Sequence, residues 1–204
     1  MNKTSIKYLT EKTKQYINHK DWYKNSNKII KDSFKKDYKL FIKLLGVTSP
    51  RTTVKNNTKN AIKTYICFKN NEEINFSYGL ANKQIKNNVN KVLNNKPFGG
   101  QKVNSFVDSL LLKDGSICID VWMLKAFNIK RLSPTNKDIR IIRHKIIKIA
   151  KSLNIKTYEA QACLWSYAKA ELNNTTFKEY KDFNYYLKEY KDFINLKLPE
   201  LINK

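Results

Sequence analysis

Residues Pro97 to Phe127, PFGGQKVNSFVDSLLLKDGSICIDVWMLKAF, contain the only double-glycine turn of the chain. Lys102 stands just behind that turn, and Asp120 stands behind an apolar run further on. The segment reads as a glycine hairpin leading into a helix, then a turn, then a carboxylate at the start of another helix. Glycines between two helices let backbone N–H groups approach a phosphate with no Cβ in the way. The positive end of the next helix adds to that attraction. Gripping a nucleic-acid strand without reading its sequence needs this geometry. An aspartate behind an apolar run is commonly a helix N-cap.

The segment resembles the hairpin and aspartate loop of the helix-hairpin-helix DNA glycosylases, the superfamily of endonuclease III and 8-oxoguanine glycosylase. Gly100-Gln101-Lys102-Val103 is similar to the G-x-K-V end of the family hairpin. Ile117-Cys118-Ile119-Asp120-Val121-Trp122-Met123 is similar to the family's aspartate loop, and the spacing from Lys102 to Asp120 fits the family pattern. Phe41 to Tyr65 resembles the early helix pair, and Tyr158 to Tyr167 stands where the family has a late core helix. The likeness covers about residues 40–170, with hairpin and catalytic loop at about 86–127. Phe98 stands where a first hairpin glycine is usual, and Trp122 replaces a histidine. The cysteine quartet of an iron–sulfur cluster is absent. TSPRTT, the divergent hairpin and IDVWM together also look similar to phage-encoded members linked to modified thymine.

The resemblance implies an all-α, two-lobed fold and base excision, with the target nucleotide flipped into a pocket between the lobes. Asp120 would stabilise positive charge on the sugar as the N-glycosidic bond breaks, or activate a nucleophile. Lys102 would attack C1′ and form a Schiff base that permits strand cleavage, or would contact phosphate. Gly99, Gly100, Gln101, Val103 and Asn104 would bind DNA. Arg51 would contact phosphate or the flipped base, with a structural ion pair as its alternative. Thr48, Ser49, Trp122, Gln161 and Trp165 are the expected pocket, core packing being the alternative for Trp165. No cofactor or metal is expected. Two other readings stay open: an enzyme tailoring hypermodified thymine in phage DNA, and a DNA-binding relative that does not cut. Excision alone and excision with AP-lyase cleavage are both compatible with the motif.

The elements that must position these residues are helical. With 5 Gly and 4 Pro in 204 residues there is little punctuation. Apolar spacing predicts amphipathic helices from Ile6 to Ile17 and Trp22 to Ile30, then one at Phe41 to Gly46. Another is predicted from Thr52 or Thr53 to Tyr65, then Leu80 to Leu93 and Val103 to Leu111. Residues 70–78 read as a polar interruption, and Lys113 to Ser116 as a turn. Pro134 sits at a predicted helix start, ahead of Ile139 to Leu153 and a core helix from Tyr158 to Leu172. In the tail, Lys178 to Phe183 is repeated as Lys188 to Phe193, which predicts an aromatic and basic helix over about 175–204. The whole chain is expected to form one glycosylase-like unit, as a monomer.

Charge points the same way. Lys and Arg number 40 against 17 Asp and Glu, a formal net charge of +23. A chain with this excess gains by meeting a polyanion, with DNA first and an anionic membrane surface second. Only Arg51, Arg131, Arg140 and Arg143 are arginine, so an AT-rich coding bias toward Lys accounts for part of the excess. His144 lies in a basic helix and is expected to face solvent or phosphate. Cys67, Cys118 and Cys163 sit apart in apolar runs and are expected to be buried free thiols in a reducing cytoplasm, that of the host if phage-encoded. The uncharged apolar stretches are too short to span a bilayer.

Overall fold

The computed structural model describes residues 3–74, 82–172 and 183–189. Among these the chain is all-helical, with no strand. The repeated segment of the tail falls largely outside the described residues. The described α-helices, in chain order, begin with α1 (Ile6–Gln15), α2 (Trp22–Phe34), α3 (Tyr38–Thr48), α4 (Val54–Lys69) and α5 (Lys83–Leu93). Then come α6 (Gln101–Leu110), α7 (Val121–Ala126), α8 (Asn136–Leu153), α9 (Thr157–Glu171) and α10 (Phe183–Glu189).

Short polar side chains start these helices by accepting first-turn N–H groups that have no partner within the helix. Ser5 caps α1, Thr53 caps α4 and Asn82 caps α5. α8 begins two residues later than a start at Pro134 implies. Thr135 is its cap and Asp138 completes a reciprocal capping box, while Pro134 precedes the helix. Asparagine does at helix ends what glycine does in most proteins. Asn71, Asn95, Asn128 and Asn154 all hold positive φ. A short polar side chain tolerates the left-handed region that ends a helix.

The chain divides into two compact units, Met1–Asn25 with Asp108–Tyr180, and Ser26–Val107 with Lys181–Lys204; the divisions fall within α2 and α6. In the first, α1, α8 and α9 pack on one another and α7 packs on α9. Leu9, Ile117, Met123, Leu124, Ile142, Ile146, Ile149 and Leu164 make its core. Ala160, Ala162 and Ala168 are buried along α9, which places most of that helix inside. The second unit is built around α3, whose Phe41, Ile42, Leu44, Leu45 and Val47 are wholly buried against α4 and α5. Phe34 stacks on Phe41 at 3.6 Å, and Tyr65 meets both edge-on. Gly46 is needed there, because any Cβ would collide with the Val107 side chain. Cys118 and Cys163 are buried free thiols as expected. Cys67 is only half-buried, a departure from expectation, since it falls at the edge of the buried face of α4.

Candidate functional site

The turn at Lys113 to Ser116 leads into Asp120 and is itself pinned. Asp114 Oδ1 accepts from the Thr157 N–H at 3.1 Å, the Thr157 hydroxyl at 3.0 Å and the Gly115 N–H at 2.9 Å. Those bonds, the Thr157 N–H foremost, hold the Asp114 carboxyl below its ordinary value against a burial effect that raises it. Ile117, Cys118 and Ile119 then run non-helically into the core of the first unit, and the chain turns into α7 at Asp120.

Asp120 caps α7. Its Oδ1 accepts from the N–H groups of Trp122 and Met123, both at 3.0 Å. Its Oδ2 accepts from Trp165 Nε1 on α9, also at 3.0 Å. Three N–H donors therefore fix both oxygens of one half-buried carboxylate. Two of those bonds are the ordinary work of a helix cap. The third comes from a residue 45 positions away and serves no cap.

Two amines of the same unit lie over the Trp122 and Trp165 rings. Lys169 Nζ, one turn beyond Trp165, lies 4.0 Å from the centre of the Trp122 ring and 5.4 Å from that of Trp165. Lys125 Nζ lies 4.1 Å from the Trp122 ring. Burial pulls the Lys169 amine below the usual lysine value; Asp120 opposes that shift and Lys125 adds to it. Trp22 lies 6.3 Å from Trp165, and its Nε1 is buried without a hydrogen-bond partner among the described residues. Tyr23, packed edge-on against Trp22, donates its hydroxyl to Gln161 Oε1 at 2.7 Å. Burial raises the Tyr23 hydroxyl well above its ordinary pKa, with Cys118 and Asp120 adding to the effect, so it remains a donor at neutral pH.

Trp122, Gln161 and Trp165 thus gather with Asp120 in the first unit. Gln161 is buried, with its amide oxygen engaged by Tyr23, and Trp165 contributes the polar end of its indole. Lys125, Lys169, Trp22 and Tyr23 belong to the same cluster and escaped the sequence reading. The helical spacings of Trp165 with Lys169 and of Trp122 with Lys125 were the available signals for the two lysines.

The remaining expected residues lie in the second unit. α5 ends in a left-handed Asn95, and the Lys96 N–H closes back on the Lys91 carbonyl at 2.7 Å. Pro97 and Phe98 come next, then Gly99 at φ +77°, whose N–H donates to Asn88 Oδ1 at 3.0 Å. A Cβ at Gly99 would meet Val103 Cγ1 at 2.8 Å and Asn104 Oδ1 at 2.9 Å, whereas one at Gly100 would meet nothing within 4 Å. Gly100, Gln101 and Asn104 are exposed, Lys102 is half-exposed on the first turn of α6, and Val103 is buried beneath them. Arg51 is exposed between α3 and α4 at φ +56°, a region costly for a side chain with a Cβ. Thr48 is wholly buried and donates to Asn57 Oδ1 at 2.6 Å and to the Leu44 carbonyl at 2.8 Å. Ser49 donates to the Gly46 carbonyl at 2.8 Å.

No family model, curated protein or solved structure matches the chain. The described residues hold no group of three His, Cys, Asp or Glu side chains placed to bind a metal. No helix among them is long and apolar enough to cross a membrane.

Proposed function

We propose that the chain is a helix-hairpin-helix DNA glycosylase in which Asp120 is the catalytic carboxylate. The observation that carries this reading is the double fixing of Asp120, by the start of α7 through Oδ1 and by the Trp165 indole through Oδ2. A carboxylate held this way is preorganised, and fixed charge beside a reacting centre is worth most when it need not reorient. In base excision the N-glycosidic bonding pair leaves with the base, which takes up a proton. The sugar C1′ is left with positive charge until a nucleophile adds. A fixed carboxylate lowers the energy of that charge.

The resemblance supplies the substrate class, and three further observations support it. The Gly99–Gly100 hairpin ahead of α6 combines a left-handed glycine with an open one, suited to close approach by a phosphate. Arg51 keeps an exposed guanidinium on a strained backbone, which suits contact with an anion. The net charge of +23 favours a polyanion throughout.

The deciding experiment incubates the full chain with a panel of damaged and hypermodified duplex DNAs and identifies the released bases by mass spectrometry. Release of one base class, abolished in Asp120→Asn, is the expected result. Excision retained in Asp120→Asn would sink the catalytic assignment. Borohydride added to the same reactions tests whether Lys102 is the nucleophile. A trapped adduct absent in Lys102→Ala supports a lyase step, and excision without trapping makes the enzyme monofunctional.

A further inference from the structure

The turn between α7 and α8 carries an apolar side chain with nothing packed over it. Leu132 is 86% exposed, while no other large exposed hydrophobic among the described residues exceeds 46%. A leucine on a floppy loop would mean little, but this loop is anchored at both ends. On the α7 side, Asn128 takes a left-handed conformation at φ 56°, and the Ile129 N–H closes on the Leu124 carbonyl at 2.8 Å. Ile129 then packs on the core of the unit. On the α8 side, Asp138 Oδ2 accepts from the Thr135 N–H at 2.8 Å and its hydroxyl at 2.7 Å, and pairs with Arg131 Nη1 at 3.3 Å. Residues on either side of Leu132 are therefore tied down while its own side chain stands in water.

Apart from Asp138, which Arg131 pairs, the charges around it are positive. Lys130 and Arg131 precede it and are exposed. Beyond it, the cations Lys137, Arg140, Lys148 and Lys151, with His144 between them, lie at three- and four-residue intervals on α8 and are all exposed. That spacing aligns them along one side of the helix. The opposite side, with Ile142, Ile146 and Ile149, faces the core. Asp138, the only acid on α8, is buried in its own capping box. An apolar tip flanked by cations that track along a helix fits a polyanion whose interior is apolar and stacked.

Resting on the DNA reading above, we propose that the Lys130–Leu132 tip and the outer face of α8 form a duplex-DNA contact surface, with Leu132 inserted between base pairs. Apolar wedges open base steps in this way, and flanking cations hold the backbone while they do. α7 is six residues long, so the wedge loop and the Asp120 cap leave opposite ends of a helix spanning about 9 Å. An anionic membrane is the weaker fit, because Leu132 and the part-exposed Ile141 and Ile147 are the only large exposed hydrophobics among the described residues of this surface, a small apolar area to bury in lipid.

The experiment uses the full chain and duplex oligonucleotides carrying 2-aminopurine, whose fluorescence rises when its stacking is lost. The wild type should bind and raise the fluorescence. Leu132→Ser should reduce that rise by about fivefold or more, and Leu132→Met should retain most of it. Arg140→Gln with Lys148→Gln should flatten the salt dependence of binding by about two in log–log slope. An undiminished rise in Leu132→Ser, or an unchanged salt slope, overturns the proposal. Base release that survives Leu132→Ser at full rate overturns the wedge but leaves the glycosylase reading standing. Unstacking without release of any base sinks the glycosylase reading and leaves the wedge standing. Binding to phosphatidylserine vesicles that needs Leu132, with no unstacking of DNA, assigns the surface to membranes and overturns the proposal.

Discussion

Replacing Asp120 by asparagine separates what the carboxylate does for the fold from what it does for chemistry. Asparagine caps a helix about as well as aspartate. Its amide oxygen can therefore take over the Trp122 and Met123 N–H groups, each at 3.0 Å from Oδ1. That choice turns the amide NH2 toward Trp165 Nε1, which now faces a donor where it had an acceptor at 3.0 Å. The bond lost is charge-assisted and worth about 1.5–3 kcal/mol, and half-exposure of the site favours the lower end. We expect Asp120→Asn to cost about 2 kcal/mol. In the Trp165→Phe background no indole N–H is left to oppose the amide, so the same change should cost about 0.5 kcal/mol. The coupling between the two positions, about 1.5 kcal/mol, is read from urea unfolding of wild type, both single variants and the double variant. Packing lost with the indole cancels in that cycle. Excision should fall about 10²–10³-fold in Asp120→Asn and about tenfold in Trp165→Phe, where the charge survives but its orientation is loosened. Equal destabilisation by Asp120→Asn in both backgrounds would refute the Trp165 bond and the preorganisation built on it.

Gly99→Ala should destabilise the protein by about 2–3 kcal/mol, combining a left-handed backbone with Cβ contacts at 2.8 and 2.9 Å. Gly100→Ala should leave stability within about 0.5 kcal/mol and yet weaken binding to duplex DNA, because only a phosphate would feel its methyl group. Unchanged affinity in that variant removes the hairpin from the DNA interface. Asp114 has a folded pKa held below its ordinary value, so its stabilising contribution is complete above an unfolded pKa near ~3.9 and is lost as pH falls through the folded value. Urea midpoints measured from pH 7 down to 2 should therefore drop less steeply below about pH 4 in Asp114→Asn than in the wild type. A parallel drop in both proteins would refute that linkage.

The helices were legible because each depends on neighbours within a turn. Apolar intervals located α3, α8 and α9, and the cap at Asp120 was readable from one residue and the first turn behind it, whereas the start of α4 was left between Thr52 and Thr53. Helix ends were harder to read. Asparagine is abundant throughout this chain, and nothing local distinguishes Asn128, which ends α7 in a left-handed turn, from the many asparagines that end nothing. The burial of Thr48 was hidden for a related reason. Its hydroxyl is satisfied by Leu44 one turn back and by Asn57 on the next helix, and that second partner exists only once α3 and α4 have packed.

The same limit bears most heavily on Asp120. Its cap bonds are local, which is why an N-cap could be read from sequence and why a cap alone left its chemistry open. The bond to Trp165 joins the start of α7 to the middle of α9, and no periodicity encodes it. Trp165 sits in a helix buried on most sides, so apolar pattern alone assigns it to the core. Yet an indole is amphipathic, and its N–H seeks an acceptor whenever the ring is covered. Serine, threonine or asparagine would cap α7 as well, and only the acids among cap-forming residues also offer Trp165 a second anionic oxygen. The cap requirement therefore explains a short polar residue at position 120, whereas the indole explains why a carboxylate suits it. A second oxygen held by the Trp165 indole is what a purely structural cap would not require. It is on that second bond added to the cap, and not on the cap alone, that the catalytic assignment rests.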